Sequence, residues 1–450
     1  MYQQPACLRI LELRILAACV QHINIARIIF YKVVPFVWRY LNNYLHKTYA
    51  MHWRRIVPYN DDINAMLESI ALSVMNMDNK HPWGLLGGSG GAILFFHYFI
   101  QINKQDRYVD YFSSLISRLI SEIYDIKTLG ICNGLSGICW LLRFLFKSNY
   151  LDCCDINNIL EYPEKCLLTE IYNSEADTDY LHGTLGIANY FAISDSPFSE
   201  EVLDIYIKKL YNSSIKKQNV NVWLTQTYVN HDSVGFVYNL GLSHGMAGVL
   251  AFLKNALRKN KESAIANELM DGLVGYYLQE RKRNTDGSLF PKWIDPKNGV
   301  CYIENLPSWC YGDPGILNAL YDSVSIYSLH DSRNKLIVNE LENFINRHHL
   351  VCSKIYESNF CHGSSGLMHI YNNFYQKTGF DKFRILALEM YDMTLTRWKT
   401  EKGRYAGFIL PDANEYANPI SFLSGISGIG LASIALMTNC IPEWNEILLL

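Results

Sequence analysis

A glycine signature that recurs seven times is the feature that most constrains the fold of this chain. Each copy is a Gly-x-x-Gly step followed directly by an apolar run without proline. The spacings between the first glycines are 46, 49, 62, 67, 51 and 62 residues, and each interval is long enough for two helices and two loops. The seven steps begin at Gly88, Gly134, Gly183, Gly245, Gly312, Gly363 and Gly425.

The runs that follow the glycines are typical of buried helices, because they are apolar on nearly all sides. Small residues before such a helix let the preceding loop turn sharply and lie close to its neighbours. Amphipathic stretches such as 108–126, 262–280 and 332–348 fall between the signatures and favour a second, outer layer. We therefore expect an all-α, seven-fold α/α toroid. An open solenoid is the alternative, although its repeats are usually more even in length.

The N-terminal segment 1–50 is expected to be distinct from a single toroid domain over residues 51–450. It is apolar and basic, and its longest uncharged run, 15–26, covers 12 residues. A membrane-spanning helix needs about 20. Three interpretations stay open: a docking or core helix, an interfacial amphipathic helix, or translated sequence upstream of a true start at Met51.

Charge and cysteine content narrow the class of protein. The formal net charge is -3 and charged residues make up 18%, so no basic field for nucleic acid is present. The chain has 12 cysteines and no CxxC pair. In a chain of 450 residues this favours free thiols in a cytoplasmic, reducing compartment over a disulfide framework.

Polar and titratable side chains directly precede several of the glycine steps. Cys310 lies two residues before the fifth step, and Cys361 and His362 precede the sixth. A closed ring would bring these turns together at one rim. Two thiols and one imidazole make a suitable three-ligand zinc set with an open fourth position, although buried cysteine is also a common core residue. Ser243, Ser308 and Ser364 are expected to cap the following helices.

Four of these segments resemble the lanthionine synthetase C family, the cyclases of lantibiotic biosynthesis. They are DYLHGTLG (179–186), NLGLSHGMAG (239–248), SWCYGDPG (308–315) and FCHGSSG (360–366), and the resemblance covers about residues 80 to 435. It implies a seven-fold toroid holding one Zn²⁺ per chain on Cys310, Cys361 and His362. It further implies that His244, Asp179 and Tyr311 are catalytic, with Tyr311 and Trp309 as aromatic neighbours of the first ligand. Leu306 stands where relatives often carry an arginine. For His182 we expect a structural role.

The resemblance implies that peptide cysteine thiols add to dehydroalanine or dehydrobutyrine and form thioether rings. His244 would be the acid and base, and Asp179 would orient it or hold substrate amides. The implied partners are a dehydrated lantibiotic precursor peptide, a separate dehydratase and an exporter. We expect a cytoplasmic protein, with a complex at the inner face of the cell membrane as a further expectation. A zinc enzyme of the prenyltransferase type and a non-catalytic peptide-binding scaffold are the alternatives.

Overall fold

The computed structural model describes most of the chain beyond the N-terminal segment. The predicted leader, 1–50, lies outside the described residues. In the part described, no helix is long and apolar enough to cross a bilayer. The described ranges are 53–77, 82–217, 220–230, 233–260, 263–281, 287–297, 299–301, 306–325, 332–351, 354–410 and 418–450.

In the part of the chain that the structure describes, seven inner helices form a closed ring. Each inner helix begins within or directly after a glycine step. Each contacts the next inner helix in the sequence, and the last inner helix contacts the first. This closure confirms the predicted toroid and excludes the open solenoid. The inner helices are α2 (Gly90–Ile102), α4 (Leu135–Lys147), α6 (Thr184–Ile193), α8 (Met246–Lys259), α10 (Asp313–Val324), α12 (Ser364–Thr378) and α14 (Ile426–Met437).

Among the described residues, seven outer helices surround this ring, and each packs on an inner helix beside it in sequence. The helix over 106–122 shows why: Tyr108, Phe112, Leu115 and Leu119 are buried at helical spacing, while the opposite face is polar. The outer helices are α1 (Asp61–Asn76), α3 (Asp106–Glu122), α5 (Cys153–Asn173), α7 (Ser199–Ser213), α9 (Ala264–Glu280), α11 (Ser332–Val351) and α13 (Asp381–Glu401).

The glycine signature is explained by contacts between neighbouring repeats. A Cβ on Gly186 of the third step would lie 3.1 Å from Cβ of Ile131, a buried residue three positions before the second step. A Cβ on Gly315 would lie 3.3 Å from Cβ of Leu242 in the same way. In five of the seven repeats the second glycine therefore makes room for the buried residue of the adjacent turn, and in six of them its nearest contact is a carbonyl of its own turn. That residue is apolar in all seven repeats: Leu85, Ile131, Tyr180, Leu242, Trp309, Phe360 and Phe422.

Backbone hydrogen bonds join the seven turns into a continuous ring at one rim. In each repeat, a carbonyl two residues before the first glycine accepts an N–H from the adjacent repeat. The last bond, from the N–H of Phe422 to the carbonyl of Leu86, closes the circle at 3.1 Å. The acceptors are the carbonyls of Leu86, Cys132, Leu181, Ser243, Cys310, Cys361 and Leu423, so two of the predicted metal ligands occupy equivalent ring positions.

The expected serine caps are only partly correct. The first glycine is itself the N-cap of every inner helix except α2, where Ser89 takes that position, and none of these caps makes a side-chain hydrogen bond. Ser308 accepts the N–H of Gly312 at 3.1 Å, just ahead of α10. Ser243 and Ser364 do not cap: Ser364 Oγ bonds Thr394 Oγ1 at 2.7 Å, and Ser243 Oγ donates to the carbonyl of Cys310 at 3.4 Å.

Short strands, which were not predicted from the sequence, lie between the third and fourth glycine steps and between the fourth and fifth. They comprise an antiparallel hairpin, β1 with β2, and an antiparallel sheet in the order β3-β4-β5-β6. Their shortness gives too few alternating positions for a sequence pattern to be recognised. The strands are β1 (Ile215–Lys217), β2 (Val220–Val222), β3 (Thr225–Asn230), β4 (Ser233–Asn239), β5 (Trp293–Asp295) and β6 (Gly299–Cys301).

The C-terminal segment fills the interior of the ring. Trp444 is buried, and so are residues 447–450. Its carbonyls accept hydrogen bonds from Tyr180 Oη at 2.7 Å and from Trp309 Nε1 at 2.9 Å. This segment therefore belongs to the core of the toroid, which the resemblance over about residues 80 to 435 did not include.

Candidate metal and active site

Three predicted metal ligands converge at the rim. Sγ of Cys310, Sγ of Cys361 and a ring nitrogen of His362 all lie within 4.8 Å of one another. The backbone ring produces this convergence, because the N–H of Trp309 donates to the carbonyl of Cys361 at 3.1 Å and holds the fifth and sixth turns side by side. Cys310 is buried, Cys361 is half-buried and His362 is exposed, so the cluster opens to solvent on the imidazole side.

The donors fit a zinc ion. Zinc binds thiolate sulfur at about 2.3 Å and imidazole nitrogen at about 2.0–2.1 Å, so the ligand atoms of one tetrahedral site lie about 3.5–4 Å apart. The donor atoms of the cluster, all within 4.8 Å of one another, lie close to this spacing. Its three donors, two of them sulfur, match a site with one coordination position left for another ligand.

One thiol of the pair is stabilised as the thiolate. A hydrogen bond from Cys361 lowers the pKa of Cys310 well below its usual value, against the effect of burial and with help from His362. The same hydrogen bond, with burial, raises the pKa of Cys361. The pocket thus already favours one negative charge where metal ligands must be deprotonated.

A carboxylate orients the imidazole of His362. Oε2 of Glu357 lies 2.9 Å from Nε2 of His362, which leaves Nδ1 to face the sulfur of Cys310. Asn359 accepts the backbone N–H of His362 at 3.1 Å and donates to Glu357. The guanidinium of Arg397 donates to the carbonyls of Glu357 and Ile355. This arrangement resembles the carboxylate–histidine pairs that support metal ligands.

His244 and Asp179 come together from neighbouring repeats. Nδ1 of His244 lies 3.0 Å from Oδ1 of Asp179. The same carboxylate accepts the backbone N–H groups of Leu181 at 2.9 Å and His182 at 3.0 Å, which fixes its position. Burial lowers the pKa of His244, but the hydrogen bond and charge of Asp179 outweigh it, so the pKa is raised overall.

The two aromatic neighbours of Cys310 lie in different environments. The ring of Tyr311 lies 5.8 Å from the ring of His244 and packs against Gly241, where a Cβ would be 2.7 Å from its Cδ1. Burial raises the pKa of Tyr311 to about 12, so it is a neutral phenol at physiological pH. Trp309 instead points into the core, toward the C-terminal segment.

A cavity of about 460 Å³ adjoins these side chains. One wall is the strand β3, where Oγ1 of Thr225 lies 2.8 Å from Oγ1 of Thr178. The cavity is lined by Asp179, Thr225, Gln226, Thr227, Asn239, His244 and Tyr311. All three predicted catalytic residues therefore face one cavity beside the thiol–imidazole cluster.

Several residues near the site were not singled out from the sequence. Glu357 lies four positions before Cys361 in an irregular turn, and Lys292 lies just before β5. The carboxylate close before a Cys-His pair is a signal that could have indicated Glu357. The ring of His182 stacks on that of His244, with the ring centroids 5.9 Å apart and the ring planes at 18°. His182, for which a structural role was expected, therefore lies beside the site. Leu306, which stands where relatives often carry an arginine, is 41% exposed.

Comparisons with known proteins agree with this architecture. A family model described as lanthionine synthetase C-like protein matches residues 80–449, beyond the range expected from the motifs. Among solved structures, the chain is similar to one titled nisin cyclase, with 20% sequence identity and a TM-score of 0.67, over 86% of this chain and 96% of that one. A cellobiose 2-epimerase from Bacillus thermoamylovorans B4167 matches with 11% identity and a TM-score of 0.41, over 83% and 97%. No curated protein sequence matches the chain.

Proposed function

Because this chain belongs to the lanthionine synthetase C-like family, we propose that it is a zinc-dependent lantibiotic cyclase. The reaction adds cysteine thiols of a dehydrated precursor peptide to dehydroalanine or dehydrobutyrine and forms lanthionine or methyllanthionine rings. One zinc ion per chain is held by Cys310, Cys361 and His362. The observation that carries the proposal is the convergence of these ligands, within 4.8 Å, beside the His244–Asp179 pair.

Zinc bound at this cluster would supply a means of holding the substrate thiol as a thiolate at neutral pH. The thiol releases its proton to solvent as the thiolate forms, and the sulfur then attacks the β-carbon of the dehydro residue and forms the C–S bond. The π electrons move toward the neighbouring carbonyl and give an enolate. A proton must then be delivered to the α-carbon, which completes the thioether.

His244 is the proposed proton donor. Its Nδ1 faces Asp179, which leaves Nε2 for the substrate. Asp179 raises the pKa of the imidazole against the effect of burial, so the protonated form persists near neutrality. Asp179 is accordingly a positioning residue, and this geometry favours that role over the binding of substrate amides. Tyr311 packs against His244 and limits the orientations of its ring.

The remaining expectations are part of the same proposal. A separate dehydratase supplies the substrate, and an exporter removes the product, in a complex at the inner face of the cell membrane. We propose that residues 51–450 form one toroid domain and that segment 1–50 is a separate leader. Neither the prenyltransferase type nor the binding scaffold is favoured by a specific feature of the site.

The test combines metal content with ring formation. Purified protein is expected to contain one zinc per chain, and Cys310→Ala is expected to lose it. With a dehydrated precursor peptide, wild type should consume free peptide thiols without any change in peptide mass. His244→Ala should retain zinc but form rings more slowly by about 10²- to 10⁴-fold. The proposal would be contradicted if the purified protein contained no zinc. It would also be contradicted if the peptide kept its free thiols after incubation with wild type.

A further inference from the structure

Lys292 is a positively charged residue at the site that the proposed mechanism does not yet use. It directly precedes β5, and its carbonyl accepts the N–H of Leu240 at 3.2 Å. The pairing of Asn239 with Trp293 in the sheet places it next to the turn that carries His244. Lys292 is therefore held near the site by strand pairing as well as by this hydrogen bond.

The ammonium of Lys292 lies against aromatic rings. Its Nζ lies 4.5 Å from the ring centroid of Tyr311 and 4.6 Å from that of Trp293. Within the described ranges, no Asp or Glu forms an ion pair with it. A partly buried cation without a carboxylate partner is costly unless another negative charge compensates it.

Lys292 interacts electrostatically with charged groups of the site. Burial lowers the pKa of Lys292, and the thiolate of Cys310 opposes that effect. The charge of Lys292 in turn acts on His244, where it opposes the effect of Asp179 on the pKa of the imidazole. The geometry agrees, because the ammonium of Lys292 lies 4.5 Å from the ring centroid of Tyr311, the residue next to Cys310, and that ring lies 5.8 Å from the ring of His244.

The proposed reaction creates a negative charge in that region. When the thiolate forms the C–S bond at the β-carbon, the displaced π pair places negative charge on the carbonyl oxygen. That charge is removed when the proton of His244 reaches the α-carbon and the C=O bond is restored. A preorganised positive charge facing the developing oxyanion stabilises this transition state more than the ground state.

We propose that Lys292 stabilises the enolate formed during thioether closure and is a further catalytic residue of this site. The inference rests on the proposed function. The charge also balances the electron-rich thiolates of Cys310 and the substrate before the addition. The ammonium of Lys292 lies against the ring of Tyr311, which lines the cavity together with His244.

The test uses two variants of Lys292 and one matched control. Lys292→Met keeps the length of the side chain without its charge, and Lys292→Arg keeps the charge. Lys297→Met removes an exposed lysine from the turn after β5. Single-turnover ring formation is measured with excess enzyme, together with zinc content and the Kd for a peptide whose cysteines are alkylated.

We expect Lys292→Met to form rings on the order of 10²-fold more slowly, with unchanged zinc content and peptide Kd. Lys292→Arg should recover most of the rate, and Lys297→Met should match wild type. Near wild-type rates in Lys292→Met would overturn the assignment. An equally slow Lys292→Arg would also overturn it, because the charge would then not be the property that matters. An inactive wild type would instead contradict the proposed function itself.

Discussion

The carboxylate of Asp179, in the third repeat, lies next to the imidazole of His244, in the fourth. This pair determines how the rate of ring formation is expected to depend on pH. An acid catalyst must be protonated, so the rate falls as pH rises through its pKa. Because Asp179 raises the pKa of His244, Asp179→Asn should lower it. The alkaline limb of the rate profile should then move to lower pH. Single-turnover rates across neutral pH measure this shift. A limb in the same place, in protein with full zinc content, would show that Asp179 does not act through His244.

Glu357 is expected to determine metal affinity without touching the metal. Its carboxylate lies 2.9 Å from Nε2 of His362, which leaves Nδ1 as the proposed ligand atom. Glu357→Gln should therefore weaken zinc binding by on the order of 10- to 100-fold.

Competition with a chromophoric chelator gives the zinc Kd directly and needs no substrate. Glu389→Gln, an exposed glutamate on α13, is the control and should bind zinc like wild type. An unchanged Kd in Glu357→Gln would show that the hydrogen bond contributes nothing to the ligand set.

At the scale of elements, the second glycine of each signature should tolerate no side chain. Glycine within a helix usually costs about 1 kcal/mol relative to alanine. In Gly186→Ala, however, the new Cβ would meet the carbonyl of Tyr180 and lie 3.1 Å from Cβ of Ile131. We expect this variant to lower the free energy of unfolding by about 1–3 kcal/mol.

The control variant should change the free energy of unfolding in the opposite direction. Gly275 lies inside α9, and a Cβ there would have no atom within 4 Å. Gly275→Ala should therefore raise the free energy of unfolding by up to about 1 kcal/mol. Urea denaturation of both variants measures the two effects. Equal effects in the two variants would mean that the close contacts of the second glycine, within its own turn and with the neighbouring repeat, are not the reason for the signature.

The elements also show what could be predicted from the sequence. The inner helices and the cysteine–histidine cluster could be predicted from the glycine steps and the residues just before them, because ring closure brings these turns together. The pair of His244 and Asp179 was expected from the family resemblance. Neither of these signals indicated Glu357 or Lys292. Glu357 reaches His362 through an irregular turn, and Lys292 is placed by the pairing of β4 with β5. Contacts that depend on tertiary pairing leave no periodic signal in the chain.

For the whole molecule, the metal cluster joins two consecutive turns of a closed ring, so zinc binding should stabilise the entire toroid. A ligand that binds only the folded state adds about 2.7 kcal/mol when its free concentration is roughly 100 times its Kd. Removing zinc by chelation should lower the unfolding temperature of wild type, and restoring zinc should reverse this.

Cys310→Ala should melt at the same temperature with and without zinc, because it lacks a ligand. Cys132→Ala is the matched control: Cys132 is buried at the equivalent ring position of the second repeat and lies outside the ligand set. It should lose some stability as a large-to-small core substitution and still respond to zinc in full. Differential scanning calorimetry of the three proteins measures both effects. A zinc response that persists in Cys310→Ala, or disappears in Cys132→Ala, would place the stabilising metal elsewhere in the ring.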